Sequence, residues 1–371
     1  MRYPFVAAVL FLPSAALAQA IRITPLAPPS GRLDHEFTRV ESVRELKDGR
    51  VIVSDPNDRG LVVIDFRNGS VVDVSHKGRG PGEYARAGTV YGLAADSSVM
   101  SDNANRRWLL LHGDRVVATI PPDDPAVLAA AGIVSGADTF GHVLTQRRPP
   151  PKPGPSIIGK DDSTTLVLVS RARGTVDTLT AVRRQPARVE ARYDADGRLS
   201  TVTMRINPFF AGEKFILFQD GWLAVARVEP YRVDWRAPDG KWTRGAPLPI
   251  PSINMNDREK RAAMARMAKE NNLPVTSPDA FSDWPATLSP FRPSGSLLEA
   301  SDGRLLVPHQ SSADHEETIY DVVNRRGQLD GQLTLPPNER IAGFGAASVY
   351  VVVVDDDGIE RLRRHPWSAT R

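Results

Sequence analysis

The stretch Thr38-Arg39-Val40-Glu41-Ser42-Val43-Arg44-Glu45-Leu46, Lys47-Asp48-Gly49, Arg50-Val51-Ile52-Val53-Ser54, Asp55 to Gly60, Leu61-Val62-Val63-Ile64-Asp65-Phe66, Arg67-Asn68-Gly69, Ser70 to Ser75 decides the fold class. Its four runs are rich in β-branched residues and short enough to be strands, and two of the three connections carry the Asp-Gly or Asn-Gly pair that tight hairpins need. Read together they make a four-stranded antiparallel meander. The same grammar returns at Gln219-Asp220-Gly221 with Trp222 to Ala226, Tyr231 to Ala237 and the Asp239-Gly240 turn, and again at Ser301-Asp302-Gly303 with Arg304 to Val307, Thr318 to Val323 and Gln328 to Leu335. Turn anchors near 48, 97, 141, 220, 302 and 347 define six units. Radial repetition of such meanders predicts an all-β chain, a six-bladed β-propeller of four-stranded antiparallel blades with one short helical insertion.

Ring closure is expected from the termini. The last unit, Ser348 to Val354 and Ile359 to Arg364, ends one strand short, and Ile21 to Leu26 is the spare strand expected to pair with it and remove the exposed edges. The expected organisation is a signal peptide over 1–20 and one propeller domain over 21–371, with an insertion at 251–290. Strand order between 140 and 207 stays open.

Val53-Ser54-Asp55-Pro56-Asn57-Asp58-Arg59, Val62-Val63-Ile64-Asp65 and Gly78-Arg79-Gly80-Pro81-Gly82-Glu83-Tyr84 resemble the repeat of NHL-like six-bladed propellers, and Met100 to Arg106 repeats the first half of that pattern. The run from Gly78 to Tyr84 is also similar to a group of exported bacterial propellers of mostly unassigned function. The match covers about 38 to 112. It implies the fold, and almost nothing about activity.

Arg2, the apolar run Phe5 to Leu12, and the small residues Ala16-Leu17-Ala18 and Ala18-Gln19-Ala20 have the order of a secretory signal cleaved near 18 or 20. A secreted or periplasmic protein without a transmembrane segment is expected. The chain has no cysteine, which excludes disulfides, thiolate metal sites and a lipoprotein anchor. Forty-seven Lys and Arg against 44 Asp and Glu leave it nearly neutral, and the basic residues are scattered, so no nucleic-acid partner is expected.

In an antiparallel meander the second-to-third-strand loops and the unit-to-unit connections share one face. Every short turn falls on the other face. The long segments, Gly78 to Tyr84, Pro121 to Ala137, Arg147 to Pro155, Pro251 to Pro290 and His309 to Glu317, gather on the first, where a rigid ring would carry a site. Within Pro251 to Pro290, Asn256 is expected to cap a helix running to Lys269, with Glu259 completing a capping box and Met264 and Met267 on one face. With Phe281, Trp284 and Phe291 this insertion is read either as a lid over the channel mouth or as packing on blade edges.

Catalytic motifs fail on inspection. Gly78-x-Gly80-x-Gly82 lacks the Lys-Ser/Thr pair and helix of a phosphate loop, His315-Glu316 lacks a second metal-site His, and Asp194 to Gly197 and Asp355 to Gly358 lack the later calcium ligands. Asp and Asn of 55–59 and 102–106 are expected to bond their own loops. His309 and His315 share a long loop with Gln310, Asp314 and Glu316 and could face one ligand. The function expected is a binding or scaffold module for a protein, peptide or small molecule, acting through its long-loop face as a monomer. The ligand-binding candidates are Arg39, Tyr91, Arg292 and His309, with no catalytic residue, no resident metal and no cofactor assigned. The alternative is a metal-dependent hydrolase or lyase at the channel mouth, drawing divalent-metal ligands from Glu41, Asp102, Asn103, Asn207, Glu299 and His309.

Overall fold

The computed structural model describes residues 22–368 other than 59, 132, 148–152, 160, 271–273 and 281–282, so the expected signal segment and Phe281 lie outside the described residues. Among the described residues, six sheets repeat one antiparallel meander. The first contains Ser42–Glu45, Val51–Asp55, Gly60–Asp65 and Ser70–Asp73 in that order, and the second Val90–Gly92, Ser97–Asp102, Arg107–His112 and Arg115–Ile120. The fourth runs Lys214–Leu217, Leu223–Arg227, Arg232–Arg236, Trp242–Thr243, and the fifth Leu298–Glu299, Leu305–Pro308, Thr318–Val323, Leu329–Leu335.

The third sheet settles the ambiguous stretch. Gly136–Ala137, His142–Arg147, Ser163–Ser170 and Thr175–Arg183 form the meander, while Gly154–Ile158 leaves it and pairs with Ala187–Tyr193 in a separate three-stranded sheet completed by Leu199–Ile206.

Closure differs from the expectation in which segment supplies it. The sixth sheet contains Glu339–Phe344, Ser348–Val354 and Glu360–Pro366, and its fourth strand is Gly31–Arg32, antiparallel to Arg363 and Arg364. Ile23–Pro25 instead adds in parallel to the outer edge of the fifth sheet, opposite Gln332 to Thr334. The closing strand carries no apolar alternation, and Gly31 fits because Phe66 lies 3.1 Å from where its Cβ would be, so sequence pattern favoured the more strand-like Ile21 to Leu26.

The core explains why second and third strands are unbroken apolar runs. Successive side chains point to opposite faces of a strand. Val51, Val53, Val62 and Ile64 therefore pack against Tyr350, Val352 and Leu362 of the sixth sheet, while Ile52, Leu61 and Val63 pack against Met100, Leu109 and Leu111 of the second. Equivalent clusters join the second sheet to the third, third to fourth, fourth to fifth and fifth to sixth. The seams return to the sheet they started from. At the centre the inner strands touch, Glu339–Phe344 meeting both Ser42–Glu45 and Leu298–Glu299, and Ser42–Glu45 meeting Val90–Gly92.

Buried acids pin the connections. Asp55, fully buried at the end of its strand, accepts the backbone N–H of Thr38 at 2.8 Å and those of Asn57 and Asp58 at 3.1 and 3.2 Å. Asp102 holds the equivalent place in the second sheet, accepting from Ala85 N–H, the Asn105 amide and Arg107. In the Gly78 to Tyr84 run, the Glu83 carboxylate accepts the Gly80 N–H at 2.7 Å, the Tyr84 hydroxyl accepts Leu61 N–H at 2.9 Å and donates to Ser75 O, and Arg107 bonds the carbonyls of Arg79, Gly80 and Glu83. This is a tight connection, as the missing phosphate-loop residues indicated.

Candidate functional site

Each inner strand enters from a unit-to-unit connection and leaves through a tight hairpin turn, which gives the channel they surround a long-loop end and a tight-turn end. The channel has a volume of about 1010 Å³ and takes its walls from the inner strands of five sheets and from Ser135 and Thr139, which flank the inner strand of the third. Among the described residues of 251–290, none lines it.

The insertion packs elsewhere. Its helix, Asp257–Glu270, is capped by Asn256, whose side-chain oxygen accepts the N–H groups of Arg258 and Glu259 at 3.0 Å. Glu259 does not close a capping box; both carboxylate oxygens accept the N–H of Ala313, fastening the helix to the long loop of the fifth sheet. Met264 is buried against Phe209, and Trp284 stacks on Phe209 with ring centroids 4.1 Å apart. The described part of the insertion thus rests on Phe209 and on the long loop of the fifth sheet.

At the long-loop end of the channel, Arg39 Nε lies 3.6 Å from Glu41 Oε2, and Tyr91 stands beside them. Burial raises the Tyr91 hydroxyl to about 12, Thr89 bonds it and opposes the rise, and the Glu41 charge adds to it. The phenol thus stays a hydrogen-bond donor at physiological pH. A cation, a carboxylate and a neutral donor meet here, a set suited to a small polar ligand carrying both donors and acceptors.

Deeper in the wall most charges are already committed. Glu213 accepts Arg227 Nη1 at 2.7 Å and the Arg183 N–H at 3.0 Å. Lys214 Nζ bonds the carbonyls of Pro293, Ser294 and Gly295. The Glu45 carboxylate accepts from the Ala346 N–H and the Tyr350 hydroxyl, and burial followed by Glu45 pushes that hydroxyl far up. Toward the tight-turn end, Gln219 stretches across the third sheet, its amide donating to Gly92 O at 3.3 Å and Ala137 O at 3.1 Å. Its own N–H is held by both oxygens of Glu299. A Cβ at 92 would lie 2.5 Å from the Gln219 side-chain oxygen, so a larger residue there would displace the Gln219 amide. Burial raises the Glu299 carboxyl to about 8, helped by Asp220 and opposed by the Gln219 N–H and Arg325.

Of the four ligand-binding candidates, Tyr91 lines the channel and Arg39 reaches it through Glu41, whereas Arg292 and His309 do not line it. His309 Nδ1 lies 3.0 Å from Asp321, which is fully buried and also accepts the Tyr231 hydroxyl at 2.9 Å and the Gln332 amide at 2.8 Å. His315 is exposed beside Glu317 and joins no common site with His309 among the described residues. Of the metal-ligand set, Glu41 and Glu299 line the channel. Asp102 serves its own loop, Asn103 is exposed, and Asn207 caps Phe209 and bonds Asp283 O. Among the described residues no three His, Asp or Glu side chains gather as metal ligands would. Sequence reasoning missed Arg44, Glu45, Lys214 and Gln219. They sit on or beside short inner strands, whose signal is position after a unit connection and not an apolar pattern.

No family model matches the chain, and no curated protein matches it. Solved structures do. A member of the DUF4221 family from Bacteroides vulgatus aligns with a TM-score of 0.50 at 9% identity, covering 92% of this chain and 98% of its own. The chain is a β-propeller. Looser likenesses are to virginiamycin B lyase from Staphylococcus aureus, 8% identical with a TM-score of 0.38 over 90% of this chain and 97% of that one, and to the calcium-binding protein regucalcin from Agrobacterium tumefaciens, 10% identical with a TM-score of 0.36 over 93% and 97%. The 9% identity to the Bacteroides vulgatus structure speaks for the fold alone. No helix among the described residues is long and apolar enough to cross a membrane.

Proposed function

We propose that this chain is a closed six-bladed propeller of the NHL-like kind, exported behind its N-terminal signal, which binds a small polar ligand or a peptide end at the long-loop mouth of its channel. The observation that carries this reading is the meeting of Arg39, Glu41 and the protonated Tyr91 hydroxyl on a channel of about 1010 Å³. Six inter-sheet seams returning to the first sheet support the blade number. The Arg39 guanidinium receives the ligand's anionic group, Glu41 accepts a donor, and Tyr91 donates. Arg292 and His309 have a supporting role in this reading, holding the fifth sheet's connections in place.

A thermal-shift panel of dipeptides, monosaccharides, and calcium and zinc salts with and without EDTA tests it, because a ligand specific to the folded state raises apparent stability. The expected result is stabilisation by a polar organic compound, lost in Ser296→Arg, which plants a long cation at an exposed position of the channel lining. No organic response, or one equal in Ser296→Arg and Tyr91→Phe, overturns the reading. A metal-driven rise reversed by EDTA would favour the hydrolase or lyase instead.

A further inference from the structure

A second cavity, of about 510 Å³, opens between the second and third sheets. It meets the channel only at Leu93, which lines both. Leu93, Leu110, Pro125 and Val176 offer its accessible apolar surface, and Val99, Trp108, Ile120, Val143 and Val169, each no more than 5% exposed, lie beneath it in the seam joining the two sheets. The connection Pro121 to Ala137, which carries the short helix Pro125–Ala129, props the seam open: Ala126 faces the cavity, and Thr145 Oγ1 bonds Ala130 O to hold the segment in place. Volume and apolar lining match those of small-molecule pockets, which fall in the range of roughly 300 to 1,000 Å³.

The mouth lies at the exposed turn between Ser163–Ser170 and Thr175–Arg183, where Val176 is 40% exposed. Arg171 stands at this mouth, its side chain half exposed and its Nε 3.1 Å from Asp124 Oδ2. Asp124 is occupied, since its other oxygen accepts the Ala126 N–H at 2.9 Å. Among the described residues the two terminal nitrogens of Arg171 make no hydrogen bond, and they form the fork that a carboxylate engages in two parallel bonds. An apolar slot ending at such a fork selects a molecule with an apolar body and one anionic head.

We propose that this inter-sheet cavity binds an amphipathic carboxylate, a medium-length alkyl or aryl acid, with its body on the apolar surface directly above Trp108 and its head on Arg171. The site is separate from the channel and does not depend on the channel reading.

Trp108 is a built-in reporter, because bromine quenches an indole only on close approach. Titrating the protein with ω-bromodecanoate should give saturable quenching that disappears in Trp108→Phe. Val176→Glu, an exposed change at the mouth, should weaken binding at least tenfold. Arg171→Gln should weaken the acid about tenfold and leave ω-bromodecanol unchanged, and Ser296→Arg in the channel should change neither. Absence of saturable quenching in the wild-type protein overturns the proposal, as does quenching that survives Trp108→Phe or Val176→Glu at full strength. Equal weakening of acid and alcohol by Arg171→Gln overturns the head-group assignment.

Discussion

Replacing Glu299 by glutamine should make the protein more stable in mild alkali and leave it nearly unchanged in mild acid. The side chain lines the channel wall, and its two oxygens receive the Gln219 N–H at 3.1 and 2.9 Å, a contact the glutamine carbonyl can keep. Burial lifts the carboxyl from its ordinary 4.5 to about 8. The native state therefore holds this proton more tightly than the unfolded chain. Stability contributed by the protonated form is fully present below about 4.5 and is lost as pH rises through about 8. At ~1.4 kcal/mol per tenfold change, the ceiling is about 5 kcal/mol. Glu299 is only partly shielded where it lines the channel, so solvent screening brings the expected size to about 2 kcal/mol. Urea denaturation of wild type and Glu299→Gln near pH 5 and pH 9 measures it, and comparison of the two proteins at each pH cancels other groups. A stability difference that is the same at both pH values would refute the reasoning.

Three further outcomes follow from named contacts. Asp55→Ala removes a fully buried carboxylate and leaves three part-buried N–H groups without their acceptor, which should cost about 2 to 3 kcal/mol, while Asp55→Asn should cost clearly less; urea midpoints decide. Gly60→Ala puts a methyl group 2.1 Å from the Tyr84 hydroxyl at a φ of +82°, so at least about 2 kcal/mol should be lost, and adding Tyr84→Phe should recover part of it, as a double-mutant cycle would read. Tyr231→Phe removes a 2.9 Å bond to buried Asp321 that ties the fourth sheet to the fifth, and thermal melts should report a loss of about 1.5 to 3 kcal/mol.

The repeating meander was legible in the sequence because each blade buries both faces of its middle strands. Val51 to Val53 and Leu61 to Ile64 therefore read as unbroken apolar runs between Asp-Gly and Asn-Gly turns. The acids Asp55 and Asp102 were legible as loop bonders for a similar reason, each standing where an apolar strand ends. The closing strand was not. Gly31–Arg32 is two residues long and is chosen by the edge it completes, so no local pattern marks it. The excursion of Gly154–Ile158 into its own sheet was equally hidden, since strand propensity says that a segment pairs and not with which neighbour. Near the channel, the place of Tyr91 on the wall and of Arg39 beside Glu41 could be read from their nearness to an inner strand. His309 was misplaced at the channel rim because nothing local reveals that Asp321, twelve residues on, turns it into the body of the blade. Gln219 and Glu299 form their contact across 80 residues, a distance no motif spans.

Hydrogen–deuterium exchange with and without the most stabilising panel compound tests the channel site most directly. Binding at the long-loop mouth should protect the inner strands Ser42–Glu45, Val90–Gly92, Lys214–Leu217 and Glu339–Phe344 together, since each contributes to the channel wall. Protection confined to outer strands such as Ser70–Asp73, or to the three-stranded sheet ending in Leu199–Ile206, would contradict the account.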